Sequence, residues 1–163
     1  MSGGPVSPLL VLGIGNTERG DDAAGRETAR LLRGALPPHV AVEEQEGEAT
    51  ALVARLEGVA AAYLVDASVS GAPPGTIRRF DAAASPLPQG EFGLSTHGFG
   101  LASAVELARA LGQLPPRCIV YAVEGASFEP GAGLSPAVAG AVATLAARLA
   151  AEITGGEGES QHA

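Results

Sequence analysis

Apolar runs of strand length alternate along this chain with stretches whose apolar residues recur at helical spacing. PLLVLGIG (8–15) is apolar and closes in glycines, which predicts a buried strand. HVAVEEQ (39–45) alternates enough to be a second strand. AAAYLVDAS (60–68) is apolar until Asp66 and predicts a third. TIRRFD (76–81) is short and polar, as an edge strand is. PRCIVYAVEG (116–125) predicts another buried strand. Between them, the segment from Asp22 to about Leu36 reads as a helix. Asp21 or Asp22 is placed to cap its first N–H groups, and Pro37-Pro38 stops it. EATALVARLEG (48–58) is a short helix closed by Gly58. GLASAVELARALG (100–112) puts Leu101, Val105 and Ala108 on one stripe. From Pro136 to Ile153 a last helix aligns Val138, Val142, Leu145 and Leu149, and Ser135-Pro136 suits its start.

Strands alternating with helices predict an α/β fold: a mostly parallel sheet of about five strands, with helices on both faces, three layers in all. The domain is expected to span 8–154, with 1–7 and 155–163 as flexible termini. GAPPG (71–75) is a turn. Residues 82–99 form a Pro/Gly/Ser-rich loop, long enough to suggest a function.

Composition narrows the function. The 163 residues favour one domain, and a hydrophobic content of 46% excludes disorder by composition. A net charge of −8 and the lack of a basic stripe argue against nucleic-acid binding, which needs phosphate neutralisation. Arg26, Arg30 and Arg33 share one predicted helix and read as solvated charge. One cysteine, Cys118, allows no internal disulfide. The first seven residues do not resemble a signal peptide, and no stretch reaches membrane-span length without Gly, Pro or charge. Together these features point to a cytoplasmic protein with no membrane partner.

In α/β folds ligands bind beyond the carboxyl ends of the strands. The first strand runs there into GNTERGDD (15–22), the third ends at Asp66, and the long loop delivers His97 just ahead of a helix. Glu124 ends the last strand at the same edge. The turn GIGN is not a dinucleotide fingerprint, because Glu18 stands where G-x-G-x-x-G needs glycine. No Gly-Lys-Ser/Thr follows for a P-loop, and Asp21 and Asp22 would repel phosphate. Asp22, Asp66 and His97 make an O/O/N set suited to a divalent metal with open positions. Each also has a plainer reading: Asp22 as a helix cap, Asp66 as a turn residue, His97 as a loop histidine. Their convergence on one edge favours the site. Ser68, Ser95 or Thr96 could pair with His97 for nucleophilic chemistry, but no G-x-S-x-G elbow is present. Cys118 falls inside a strand and reads as inert core. His39 opens a strand and His162 sits in the tail, so neither is a good candidate.

Over about 9–153 the sequence resembles the [NiFe]-hydrogenase maturation endopeptidases. The resemblance is carried by VLGIGNTERGDDAAG (11–25), LVDAS (64–68), LSTHGFGL (94–101) and EGASFEPGAGLSPAV (124–138), in that order. It implies an α/β/α fold with a twisted sheet, and removal of the C-terminal extension of a [NiFe]-hydrogenase large-subunit precursor after nickel insertion. It also implies that Asp22, Asp66 and His97 contact nickel carried by the substrate and serve catalysis. The free protein, expected to be a monomer, then holds no tight cofactor of its own. Asp22 stands where some members carry Glu. EEQEGEA (43–49) departs from the family's element after the second strand and keeps only Gly47, in a region expected to recognise the partner. Two rivals are a non-cleaving module that senses metal or escorts the precursor, and a different metallohydrolase, perhaps with zinc.

Overall fold

The computed structural model describes residues 9–92 and 100–159. Five strands form one sheet in the order β2-β1-β3-β5-β4: β1 Leu9–Ile14, β2 Val40–Gln45, β3 Ala61–Ser68, β4 Ile77–Asp81 and β5 Arg117–Glu124. Four strands run parallel, and β4 pairs antiparallel to β5 at the edge. The polar pattern of β4 suits that place, because an edge strand keeps one side in water.

Helices α1 (Ala24–Leu32) and α4 (Pro136–Glu159) cover one face, and α2 (Ala49–Leu56) and α3 (Leu101–Ala110) the other. Alternate residues of each strand feed the two cores. Leu10, Leu12, Leu64 and Val120 pack beneath α2 and α3, while Val11, Tyr63, Val65, Ile119 and Val123 pack beneath α1 and α4. Every residue of β3 is buried, as a central parallel strand requires.

The helix ends differ from the sequence-based expectation. Gly20–Ala23 is a 3-10 turn, and α1 starts only at Ala24, with no side chain capping either segment. Both aspartates are engaged elsewhere, as described below. α1 ends at Leu32 rather than near Leu36, because Arg33 is extended and Gly34 takes a positive φ. α4 continues to Glu159, past the point where the glycines predicted a flexible tail. By length and composition Pro136–Gly155 could cross a membrane, yet Val138, Val142, Leu145, Leu149 and Ile153 are buried in the core.

Arg26 and Arg30 of α1, and Arg33 just beyond it, are not simply solvated. Arg26, Arg30 and Arg33 all reach the carboxylate of Glu44 on β2, and Arg26 Nη1 also donates to the Gly15 carbonyl. On the other side, Arg55 of α2 holds Glu43 through two hydrogen bonds. Thus the divergent 43–49 segment begins, within the end of β2, with two glutamates tied into the fold.

Candidate active site at the carboxyl edge of the sheet

The chain leaves β1 for β2 on one side, while β3 lies on the other, so the carboxyl edge between β1 and β3 is the place where crossovers diverge. Such a switch point leaves a crevice. The loop after β1 and the end of β3 meet there, with Gly13 in register with Val65. Two glycines let the elements approach closely. A Cβ on Gly25 would stand 2.2 Å from the Val65 carbonyl oxygen, and one on Gly15 would stand 1.9 Å from that of Asp22. Gly15 also needs its φ of +143°. The start of α1 is thereby pressed onto the sheet, and the turn before it carries Asp22 to the crevice.

Asp22 and Asp66 are brought together there. Asp22 is 9% exposed and, among the described residues, accepts one hydrogen bond, from the Asn16 N–H at 2.9 Å. Burial raises its pKa, against the pull of that bond and of the nearby Arg19 charge. Asp66 is 5% exposed and, among the described residues, accepts only the N–H of Ala67, at 2.8 Å. Burial pushes its pKa well above the carboxylate range, and the charge of Asp22 pushes it further. Two under-bonded carboxylates in one low-dielectric crevice favour either a shared proton or a cation between them.

His97 lies outside the described residues, as do Ser95 and Thr96. Among the described residues, no group of three His, Cys, Asp or Glu side chains forms a metal-binding cluster. Asp22 and Asp66 therefore supply two oxygen donors, suited to a divalent ion that brings further ligands with it.

The adjacent carboxylate, Asp21, does something sequence reasoning missed. It is fully buried and accepts from the N–H groups of Ala126, Ser127 and Ser135 and from the Ser135 hydroxyl, at 2.7–3.0 Å. Burial works to raise its pKa, but these donors outweigh it and the net shift is downward. Asp21 thus fastens the 126–135 loop to the turn that bears Asp22, and the Ser135 hydroxyl expected at the start of α4 is engaged by this clamp. The Gly131 N–H to Glu18 carbonyl bond, 2.8 Å, reinforces it. The only signal in the sequence was an acidic pair and a distant loop rich in small residues.

Glu124 plays a similar part at the end of β5. It accepts from the hydroxyls of Ser68 and Ser70 and the N–H groups of Ser70 and Gly71. Burial is again outweighed, and its pKa is lowered. Ser68 thus donates its hydroxyl to a carboxylate whose other acceptor sites are filled by Ser70 and Gly71. Cys118 is wholly buried, and desolvation pushes its thiol up to about 12, so it is inert core.

Comparison with known proteins agrees with this architecture. The family model described as hydrogenase maturation protease matches residues 35–152. No curated protein matches the sequence. Among solved structures, the hydrogenase maturating endopeptidase HybD from Escherichia coli is 27% identical, with a TM-score of 0.72, over 91% of this chain and 93% of that one. The solution structure of an endopeptidase from Escherichia coli is 26% identical, with a TM-score of 0.76, over 90% and 93%. The [NiFe] hydrogenase maturation protease HycI from Thermococcus kodakarensis KOD1 is 23% identical, with a TM-score of 0.66, over 88% and 90%, a likeness of fold.

Proposed function

Since this chain belongs to the hydrogenase maturation protease family, whose members are peptide hydrolases, we propose that it removes the C-terminal extension of a [NiFe]-hydrogenase large-subunit precursor once nickel is in place. The observation that carries the reading is the buried, under-bonded pair Asp22 and Asp66 at the switch point of the sheet. A pair in that condition gains most from a cation, and a cation arriving on the substrate makes cleavage conditional on metal insertion. His97 is the third ligand in this reading. Two oxygens and an imidazole leave open positions for the ligands that a substrate-borne metal brings with it.

The reaction is attack of water on the scissile amide, held beside the substrate's nickel. One carboxylate of the pair takes the water's proton, a role favoured by a pKa raised toward the working pH. The same carboxylate, now protonated, gives that proton to the leaving amine as the amide C–N bond breaks. The protein acts as a monomer in the cytoplasm, where its precursor folds, and needs no nucleic acid or membrane partner.

The experiment is to incubate the chain with the nickel-loaded and the metal-free precursor and to read processing by intact mass. Cleavage of the loaded form alone is expected. Equal cleavage of both forms sinks the nickel-reading step, and binding without cleavage identifies an escort rather than a protease. Full processing by His97→Ala removes His97 from the site.

A further inference from the structure

All ten basic side chains of this protein are arginines. Eight of them form ion pairs with glutamates among the described residues. Arg148 is exposed on α4. Arg19 is different. It is half-buried and stands three residues before Asp22; among the described residues it makes no ion pair, and its Nε is buried with no hydrogen-bond partner. Leaving a charged donor desolvated and unbonded is costly, so native structures rarely keep one without a use.

The side chain is not what holds the turn. The backbone of Arg19 does that, through its N–H to the Asn16 carbonyl at 3.2 Å and its carbonyl to the Asp22 N–H at 3.0 Å. Nor does a fixed positive charge help two carboxylates gather a cation; it weakens their pull on one. What a guanidinium at this spot can do is donate to an oxygen. The oxygens that come to this crevice in the proposed reaction belong to the peptide being cut.

We propose that Arg19 is a substrate-binding residue whose guanidinium donates to an oxygen of the precursor peptide lying over Asp22 and Asp66. Planar guanidinium donors suit carbonyl and carboxylate oxygens alike. The oxygen is either the scissile carbonyl or a carboxylate of the peptide flanking it. The assignment rests on the endopeptidase reading above.

The test uses the full chain and the nickel-loaded precursor, comparing wild type with Arg19→Ala and Arg19→Lys in steady-state kinetics and thermal melts. Arg19→Ala is expected to lower kcat/KM about 10- to 100-fold, with Tm nearly unchanged. Arg19→Lys is expected to retain part of the activity, and added guanidinium ion to restore part of it to Arg19→Ala. A loss in kcat assigns the contact to the scissile carbonyl; a loss in KM assigns it to a flanking carboxylate. Unchanged kcat/KM in Arg19→Ala overturns the proposal. So does a loss that comes with a fallen Tm and no rescue, which marks a structural role. If wild type itself fails to cut, the endopeptidase reading falls and takes this one with it. If wild type cuts and Arg19→Ala matches it, this inference falls alone.

Discussion

Asp21 and Asp22 are neighbours in one 3-10 turn, and both are buried. Asp21 collects four donors from the 126–135 loop, and its pKa is held down. Asp22 collects one, shares its crevice with Asp66, and its pKa is raised. The same side chain, one residue apart, thus serves two ends. A carboxylate whose acceptor sites are filled is a structural fastener. One left short of donors stores unfavourable energy that a ligand can release. Glu124 belongs with Asp21 by this measure, and Asp66 with Asp22.

The strongest way to break this division is to remove the charge at Asp66. Asp66→Asn is expected to reduce precursor processing by about a thousandfold, measured by intact mass. The same change should raise the stability of the metal-free protein by about 1–2 kcal/mol in urea melts, because a repelled buried charge is gone. Lost processing with lost stability would place Asp66 among the fasteners.

Asp21→Ala should do the reverse to stability. It leaves the N–H groups of Ala126, Ser127 and Ser135 and the Ser135 hydroxyl without their acceptor; Ala126 and Ser127 are exposed and can turn to water, so the cost is about 2 kcal/mol and the drop in Tm roughly 4–8 °C. A Tm within about 2 °C of wild type in thermal denaturation would show that the clamp is dispensable.

The two groups also separate by pH. The folded pKa of Asp66 lies above its ordinary value of 3.8, so ionisation favours the unfolded chain. Its effect is absent below 3.8, and stability falls as pH rises from there through the folded pKa. The gap between Asp66→Asn and wild type, measured with a chelator present, should therefore widen with rising pH and then level off. For Asp21 the folded pKa lies below 3.8, so its contribution is full above that value and is lost as pH falls through the folded pKa. The gap between wild type and Asp21→Asn should close on acidification. Parallel pH profiles for the two variants would erase the distinction.

The smallest effect concerns the free protein. If nickel arrives with the substrate, stripping metal from the isolated chain should move Tm by less than about 1 °C in calorimetry. A larger fall would mean a resident ion between Asp22 and Asp66.

Much of the architecture was legible in the sequence. Apolar runs such as 60–68 and 116–125 have the length and the flanking turn residues of buried parallel strands, and the polar β4 announced its edge position. Asp66 stood out as a candidate as well, because a carboxylate within an apolar strand contrasts with its own segment, although β3 runs on past it to Ser68. The family resemblance read from four short motifs agrees with the match over 35–152. The chain singled out Asp22 for the candidate site, but it could not disclose what Asp21 does beside it. Asp21 and Asp22 look alike in one dimension, and both look like helix caps. Their difference comes from partners more than a hundred residues away for Asp21, and from a β3 carboxylate for Asp22. Similarly, Arg26, Arg30 and Arg33 read as solvated charge until the β2–β1 pairing set Glu44 beside them. Local pattern determines which segments are strands and helices, because periodicity is a property of neighbours in sequence. Protonation, bonding and therefore the division between fastener and reactive group depend on long-range contacts, and those the tertiary structure alone decided.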